Sequence, residues 1–217
     1  METLKTVSLA DQIFQVLEQN ILDGTYPRDA VFTETQLSNM LGVSRTPIRE
    51  AIRRLQQANI VKASGKGIVI GGVDLQDMYD IYDIRMRIEG LAASWAAMRI
   101  NDDGISALKE ALDLEEFYTQ HHDPDHLKLV DTQFHEIIYR CCGSEMLESM
   151  LTDLHRRIQV YRKLSLQDSN RANTAFAEHK KIFEAIKNHD AAAAEALVSQ
   201  HILNARNSID NKERKPN

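Results

Sequence analysis

The sequence predicts a mostly α-helical protein in two parts: a small N-terminal module of short helices closed by a β-hairpin, then a larger all-helical antiparallel bundle. Three observations carry this. Six of the nine glycines lie at or before Gly72, and between Gly143 and Pro216 there is neither glycine nor proline. Such a stretch suits long helices and not hairpins. Residues 1–72 hold 8 Lys+Arg against 7 Asp+Glu, whereas the remainder holds 18 against 25. Two closely spaced β-prone runs, Ile60-Val61-Lys62-Ala63 and Ile68-Val69-Ile70, stand at the end of the first part. The boundary falls near Gly71-Gly72-Val73-Asp74, which gives modules of residues 1–72 and 73–217.

Composition narrows the function classes. At 217 residues, 43% hydrophobic and 27% charged, the chain has the make-up of a soluble globular protein. No run approaches the roughly 20 apolar residues a bilayer requires. The start Met1-Glu2-Thr3-Leu4-Lys5 lacks the basic-then-apolar pattern of a secretory signal. Cys141 and Cys142 are adjacent, so they make no useful staple, and a reduced, cytoplasmic protein is the expectation. A net charge of −6 argues against indiscriminate coating of nucleic acid while leaving room for a local basic face.

The first helix begins at an N-cap, Ser8, with Asp11 three residues on and Val7 as a staple before it. Ile13, Val16, Leu17 and Ile21 follow at helical spacing, and Gly24 ends the run. Tyr26-Pro27-Arg28-Asp29 reads as a turn. Thr33, with Gln36 three on, caps a short second helix through Leu37 and Met40-Leu41, and Gly42 stops it. Ser44 caps a third helix, with Pro47 in its first turn, where the missing N–H costs nothing. Two short helices across a glycine-containing turn form a helix-turn-helix pattern.

Phase tests the third helix. At about 100° per residue, Ile48, Ala51, Ile52 and Leu55 form one apolar stripe. Arg45, Thr46, Arg49 and Arg53 fall on another face. Residues 45–66 carry six basic residues (Arg45, Arg49, Arg53, Arg54, Lys62 and Lys66) against one acid, Glu50. Arginine forks on the N-terminal part of such a helix match guanine edges in a major groove; a solvated charged face is the bland alternative. The β-prone runs flank Ser64-Gly65-Lys66-Gly67, a small basic tip, and so read as a wing behind the helix-turn-helix.

The run Leu41-Gly42-Val43-Ser44-Arg45-Thr46-Pro47-Ile48-Arg49-Glu50-Ala51-Ile52-Arg53-Arg54-Leu55 resembles the signature of the GntR family of bacterial transcription regulators, and the likeness extends from about Leu9 to Ile70. The resemblance implies a winged helix that binds palindromic double-stranded operators as a homodimer. It implies that Arg45 and Arg49 read bases and that Thr46 and Gly65 contact phosphates. Thr35 and Pro27-Arg28 depart from the family pattern, which has arginine at the first position and a Pro-Gly pair at the second.

From Asp74 onward helix follows helix. Met78, Ile81, Tyr82, Arg85, Ile88, Glu89, Ala92 and Trp95 share a broad face, and Asn101-Asp102-Asp103-Gly104 breaks it. A helix through Leu108, Leu112 and Phe117 precedes the polar loop His121-His122-Asp123-Pro124. Further helices run from about Asp125 to Cys142, from Glu145 to Leu164, through Phe176–Ile186 and through Ala191–Ile209, and a polar, frayed tail from Asn211 closes the chain. His121, His122 and His126 read as solvated, and the two cysteines as inert packing.

Four residues in this bundle stand out. Asp131 and His135 lie at i, i+4 beside apolar Phe134 and Ile138, and so face one side of one helix. His179 shares a stripe with Phe176, Phe183 and Ile186; His201 shares one with Leu197, Val198 and Ala205. A buried polar group without a partner costs roughly 1–3 kcal/mol. Each histidine taken singly reads as a core residue bonded to backbone or water. Convergence of all four on a divalent cation satisfies them together, with zinc the best match and nickel and manganese also compatible. Arg85 either pairs with Glu89 at i+4 or faces the cavity.

Asp131-Thr132-Gln133-Phe134-His135, Glu178-His179-Lys180-Lys181-Ile182-Phe183-Glu184-Ala185-Ile186 and Gln200-His201-Ile202 resemble successive motifs of the FCD domain, which follows the DNA-binding head in one GntR subgroup. Over about residues 75–210 the resemblance implies a metal held by Asp131, His135, His179 and His201. It also implies a small organic acid effector (a sugar acid, hydroxy acid or amino acid) clamped by the metal and Arg85. The reading is a metabolite-responsive transcription regulator of repressor type that is not an enzyme. The alternatives are a metal-dependent hydrolase or lyase acting on a small acid, and a regulator that senses the metal itself.

Overall fold

The computed structural model describes residues 8–65 and 67–213. The expectations on Val7, Lys66 and the last four residues lie outside that range. The chain divides into two compact units between Asp74 and Leu75.

In the first unit, α1 (Leu9–Leu22) opens on a complete capping box: Ser8 Oγ accepts from the Asp11 N–H, and the Asp11 carboxylate accepts from the Ser8 N–H. α2 (Glu34–Leu41) opens on a second, between Thr33 and Gln36. Gly42, at φ 66°, takes the left-handed cap that lets α2 turn into α3 (Arg45–Gln57). Ser44 occupies the N-cap of α3 with extended backbone, but its side chain makes no capping bond, contrary to expectation. The turn is closed instead by Ser38, whose hydroxyl donates to the Val43 carbonyl at 2.5 Å. Ile48, Ala51, Ile52 and Leu55 of α3 are buried against Ile13, Leu17 and Ile21 of α1. Burial of each large side chain there is worth about 1.5–3 kcal/mol.

The wing pairs β2 (Val61–Ser64) with β3 (Gly67–Ile70), antiparallel, with Val61 opposite Ile70 and Ser64 opposite Gly67. A strand unforeseen in the sequence, β1 (Val31–Phe32), adds to the other side of β3, so the sheet order is β1-β3-β2. Gly67 is required at that crossing. Its φ is 146°, and a Cβ there would lie 2.3 Å from the Phe32 carbonyl oxygen.

The second unit is all-helical: α4 (Leu75–Arg99), α5 (Asp102–Gln120), α6 (Pro124–Cys141), α7 (Glu145–Arg157), α8 (Gln159–Leu166), α9 (Ser169–Lys187) and α10 (Ala191–Glu213). Asn101 caps α5, and Asp123 caps α6 with Pro124 at its first position. The long α4 packs most extensively on α10. Their close approach depends on Gly90, where a Cβ would meet Ser199 Oγ at 2.5 Å. The single helix expected over Glu145–Leu164 is two, broken at Ile158. Ile158 is fully buried, and its turn re-aims the next helix so that Arg162, Ser165 and Leu166 line an interior cavity. Helices α9 and α10 run longer than their apolar stripes suggested. Among the described residues, no helix is long and apolar enough to cross a membrane.

Candidate metal centre and nucleic-acid interface

On the first unit, Arg45, Thr46, Arg49 and Arg53 all lie exposed along α3, opposite its buried stripe, and Gly65 is exposed at the wing tip. Glu34, which nothing in the sequence reading singled out, ties two of them down. Its carboxylate accepts from Arg49 Nε at 3.1 Å and Nη2 at 2.9 Å, and from Arg45 Nη2 at 2.9 Å. Bonding to Arg49 and then Arg45 holds the Glu34 carboxyl down at about 2. Arg53 pairs instead with Glu50 on its own helix, at 2.5 Å.

In the bundle, α6 presents Asp131 and His135, α9 presents His179 and α10 presents His201. All four are buried, and one potential ligand atom from each lies within 4.8 Å of the others. The orientation of two imidazoles is set from behind. His179 Nδ1 donates to Glu115 of α5 at 2.8 Å, and His201 Nδ1 donates to Glu178 of α9 at 2.7 Å. With their protons committed there, the two Nε2 lone pairs face each other at 3.2 Å. Two acceptors at that distance repel unless a positive charge lies between them, and carboxylate-backed imidazoles are the usual outer shell of a metal ligand. Asp131 Oδ1 stands 3.9 Å from His179 Nε2. Its other oxygen is held by Arg162, whose second nitrogen donates to the Thr132 hydroxyl at 2.8 Å. These residues therefore fit a divalent cation. Three imidazole nitrogens and one carboxylate oxygen suit zinc, which admits another ligand by expanding to five-coordinate.

Behind His135 lies a second buried network. Arg85 is bonded to Glu89, and it also lines the cavity, so both readings of Arg85 hold together. Glu89 Oε2 is 3.3 Å from His135 Nδ1, near but misaligned for a full hydrogen bond. Burial works against the Glu89 charge, yet Arg85 and His135 hold its carboxyl below the usual range. Burial pushes His135 and, much further, His155 and His201 below the ordinary imidazole value. It lifts the Tyr82 phenol above its ordinary value. Arg162 falls to about 9 through burial and the charge of Arg85, and so stays cationic at neutral pH.

His121, His122 and His126 are exposed, as expected, with His121 stacked on Phe117 and His126 on Tyr118. Cys141 and Cys142 are free thiols that burial pushes up in pKa. The sequence reading missed Glu115, Glu178, His155, Arg162 and Arg171. One signal was available: Glu115 lies on the same inward stripe as Leu108, Ala111 and Leu112, where an unpaired carboxylate would be costly.

Comparison with known proteins places these features. Residues 9–70 match the family described as bacterial regulatory proteins, gntR family, and residues 80–204 match the FCD domain. The chain is 30% identical over 195 residues to an uncharacterized HTH-type transcriptional regulator, YdhC, of Bacillus subtilis, covering 88% of this chain and 85% of the relative. It is 21% identical to the gluconate operon transcriptional repressor of the same organism, covering 95% and 87% of the two chains. Among solved structures, E. coli McbR/YncC shares the fold with a TM-score of 0.82 at 19% identity, over 96% of this chain and 100% of that one.

Proposed function

We propose, for a chain that belongs to the GntR family of bacterial regulatory proteins and carries its FCD domain, how the operator is read and what signal is sensed. The protein acts as a homodimeric repressor. Arg45 and Arg49 read base edges of each half-site, Thr46 and Gly65 contact phosphates, and Arg53 and Lys66 add backbone charge. Asp131, His135, His179 and His201 hold one divalent ion, zinc by preference with nickel and manganese compatible, next to a small organic acid.

The observation that carries the sensing half is the pair of Nε2 atoms at 3.2 Å, one imidazole backed by buried Glu115 and the other by partly buried Glu178. When bound, the ion supplies a Lewis-acidic anchor for a carboxylate oxygen. Glu115 and Glu178 keep His179 and His201 in the tautomer that points Nε2 inward. Arg162 and Thr132 hold Asp131 so that Oδ1 faces the imidazoles. Tyr82 and Arg85 line the adjoining cavity, where a hydroxyl and a guanidinium can hold an acid. A relative named for a gluconate operon is in keeping with an organic-acid signal.

The test is an operator selected from random duplex DNA and titrated at fixed salt with chelated, metal-loaded, and metal-plus-acid protein. The acid that binds should change operator affinity by about 5–150-fold, the usual span of a coupling free energy, and only when metal is present. Operator affinity indifferent to both metal and every acid would count against the proposal.

A further inference from the structure

We propose, on the reading that the four-residue cluster holds a divalent cation, that the cavity beside it selects a compact monoanion, a monocarboxylate bearing a neutral oxygen such as a hydroxyl, over dicarboxylates.

The inference comes from counting buried charge. Three guanidiniums meet at this site, each against one carboxylate: Arg85 with Glu89, Arg162 with Asp131, and Arg171 with Glu178 at 2.9 Å. The three arginine side chains are 2%, 6% and 9% exposed. A fourth carboxylate, Glu115, is 1% exposed and is bonded by the neutral donor His179 Nδ1 rather than by an arginine. Imidazoles that ligate a metal are neutral. His155 is neutral by its bonding, because its Nδ1 faces both an Arg85 nitrogen at 3.4 Å and the Tyr139 hydroxyl at 3.0 Å. The protein groups therefore carry one excess negative charge. A divalent cation turns that into one excess positive charge, and a single carboxylate brings the buried site to zero.

A second carboxylate would leave an unpaired charge among buried side chains, the arrangement burial penalises most. The neutral oxygen follows from two donors without partners. Among the described residues, the Tyr82 hydroxyl and Arg171 Nε are buried with no hydrogen bond, and both residues line the cavity. The open volume is about 20 Å³, room for roughly one water. Any acid that enters must therefore displace the side chains around it, least so for the smallest, and it seats where Arg162, Ser165 and Leu166 of α8 form one wall.

The test uses the full chain loaded with Zn²⁺, dialysed and assayed for metal before and after each titration. Isothermal titration at constant ionic strength compares 2-hydroxy monocarboxylates of two to four carbons with dicarboxylates of equal carbon number, in two buffers of different protonation enthalpy. At least one monocarboxylate should bind roughly tenfold or more tighter than its partner, with no net proton uptake. A dicarboxylate that binds should take up about one proton. Arg171→Gln should weaken the monocarboxylate by a similar factor and leave Zn²⁺ stoichiometry intact. A dicarboxylate bound as tightly with no proton uptake overturns the inference, and so does metal-loaded protein that binds neither class. Protein that fails to retain Zn²⁺ overturns the metal reading itself, and this inference with it.

Discussion

His179 and His201 bring their Nε2 atoms to 3.2 Å of each other from two different helices, while their Nδ1 atoms donate outward to Glu115 and Glu178. The two carboxylates fix the tautomers, and the tautomers aim two lone pairs at one point. Glu115→Gln keeps a hydrogen-bonding partner but removes the charge that raises the basicity of His179. Metal affinity should fall about 10–100-fold, the usual effect of losing an outer-shell partner, while helix content stays unchanged. Competition against a chromogenic chelator measures it, and unaltered affinity would show that Glu115 does not tune the site.

Glu34 bridges Arg45 and Arg49, and so places one negative charge among the cations of α3. Glu34→Gln removes that charge and loosens its hold on both guanidiniums. Binding to random duplex should strengthen, with a salt slope steeper by about one, and the ratio of operator to random binding should fall. Anisotropy titrations across a salt series read both quantities.

The same bridge sets a pH window. The Glu34 carboxyl sits at about 2, below the 4.5 of an ordinary glutamate. A carboxylate depressed on folding contributes stability above its unfolded value, and the contribution is lost as pH falls toward its folded one. Carbon-detected NMR should find Glu34 ionised down to about pH 2, and Arg49→Ala should move it back toward the ordinary range. A Glu34 carboxyl that titrates normally in the wild-type protein would refute the bridge.

Arg49→Ala should cost about 1–3 kcal/mol of operator binding and relax discrimination at one base pair, because a bidentate fork to a base edge is lost. Operator variants measured at fixed salt separate this from a phosphate role, in which every sequence would weaken alike.

Gly67→Ala should destabilise the head by about 1–3 kcal/mol, since the added methyl meets the Phe32 carbonyl in a backbone region that side chains avoid. Urea unfolding followed at the N-terminal unit reads it, and an unchanged midpoint would mean that β1 yields freely.

Much of this was legible in the sequence where the physics is short-range. The Ser8–Asp11 and Thr33–Gln36 boxes are complete within four residues, and the buried stripe of α3 follows from its period. Asp131 and His135 announce each other at one helical turn. What the sequence concealed depends on distant partners. Val31–Phe32 is too short to show an alternation and forms a strand because β3 is beside it. The break at Ile158 has no glycine or proline to mark it; the core takes that side chain in and the helix yields. Arg162 could be read as an Asp131 partner only once that break re-aimed it, and the pairing of Glu115 with His179 spans two helices.

The convergence of Asp131, His135, His179 and His201 on one ion is tested most directly by X-ray absorption on the purified, zinc-reconstituted and dialysed chain. The account predicts one zinc per chain with three imidazole nitrogens and a carboxylate oxygen at about 2.0–2.2 Å, and loss of that spectrum in His179→Ala. A chain that retains no zinc, or holds it in a shell without imidazole, would contradict it.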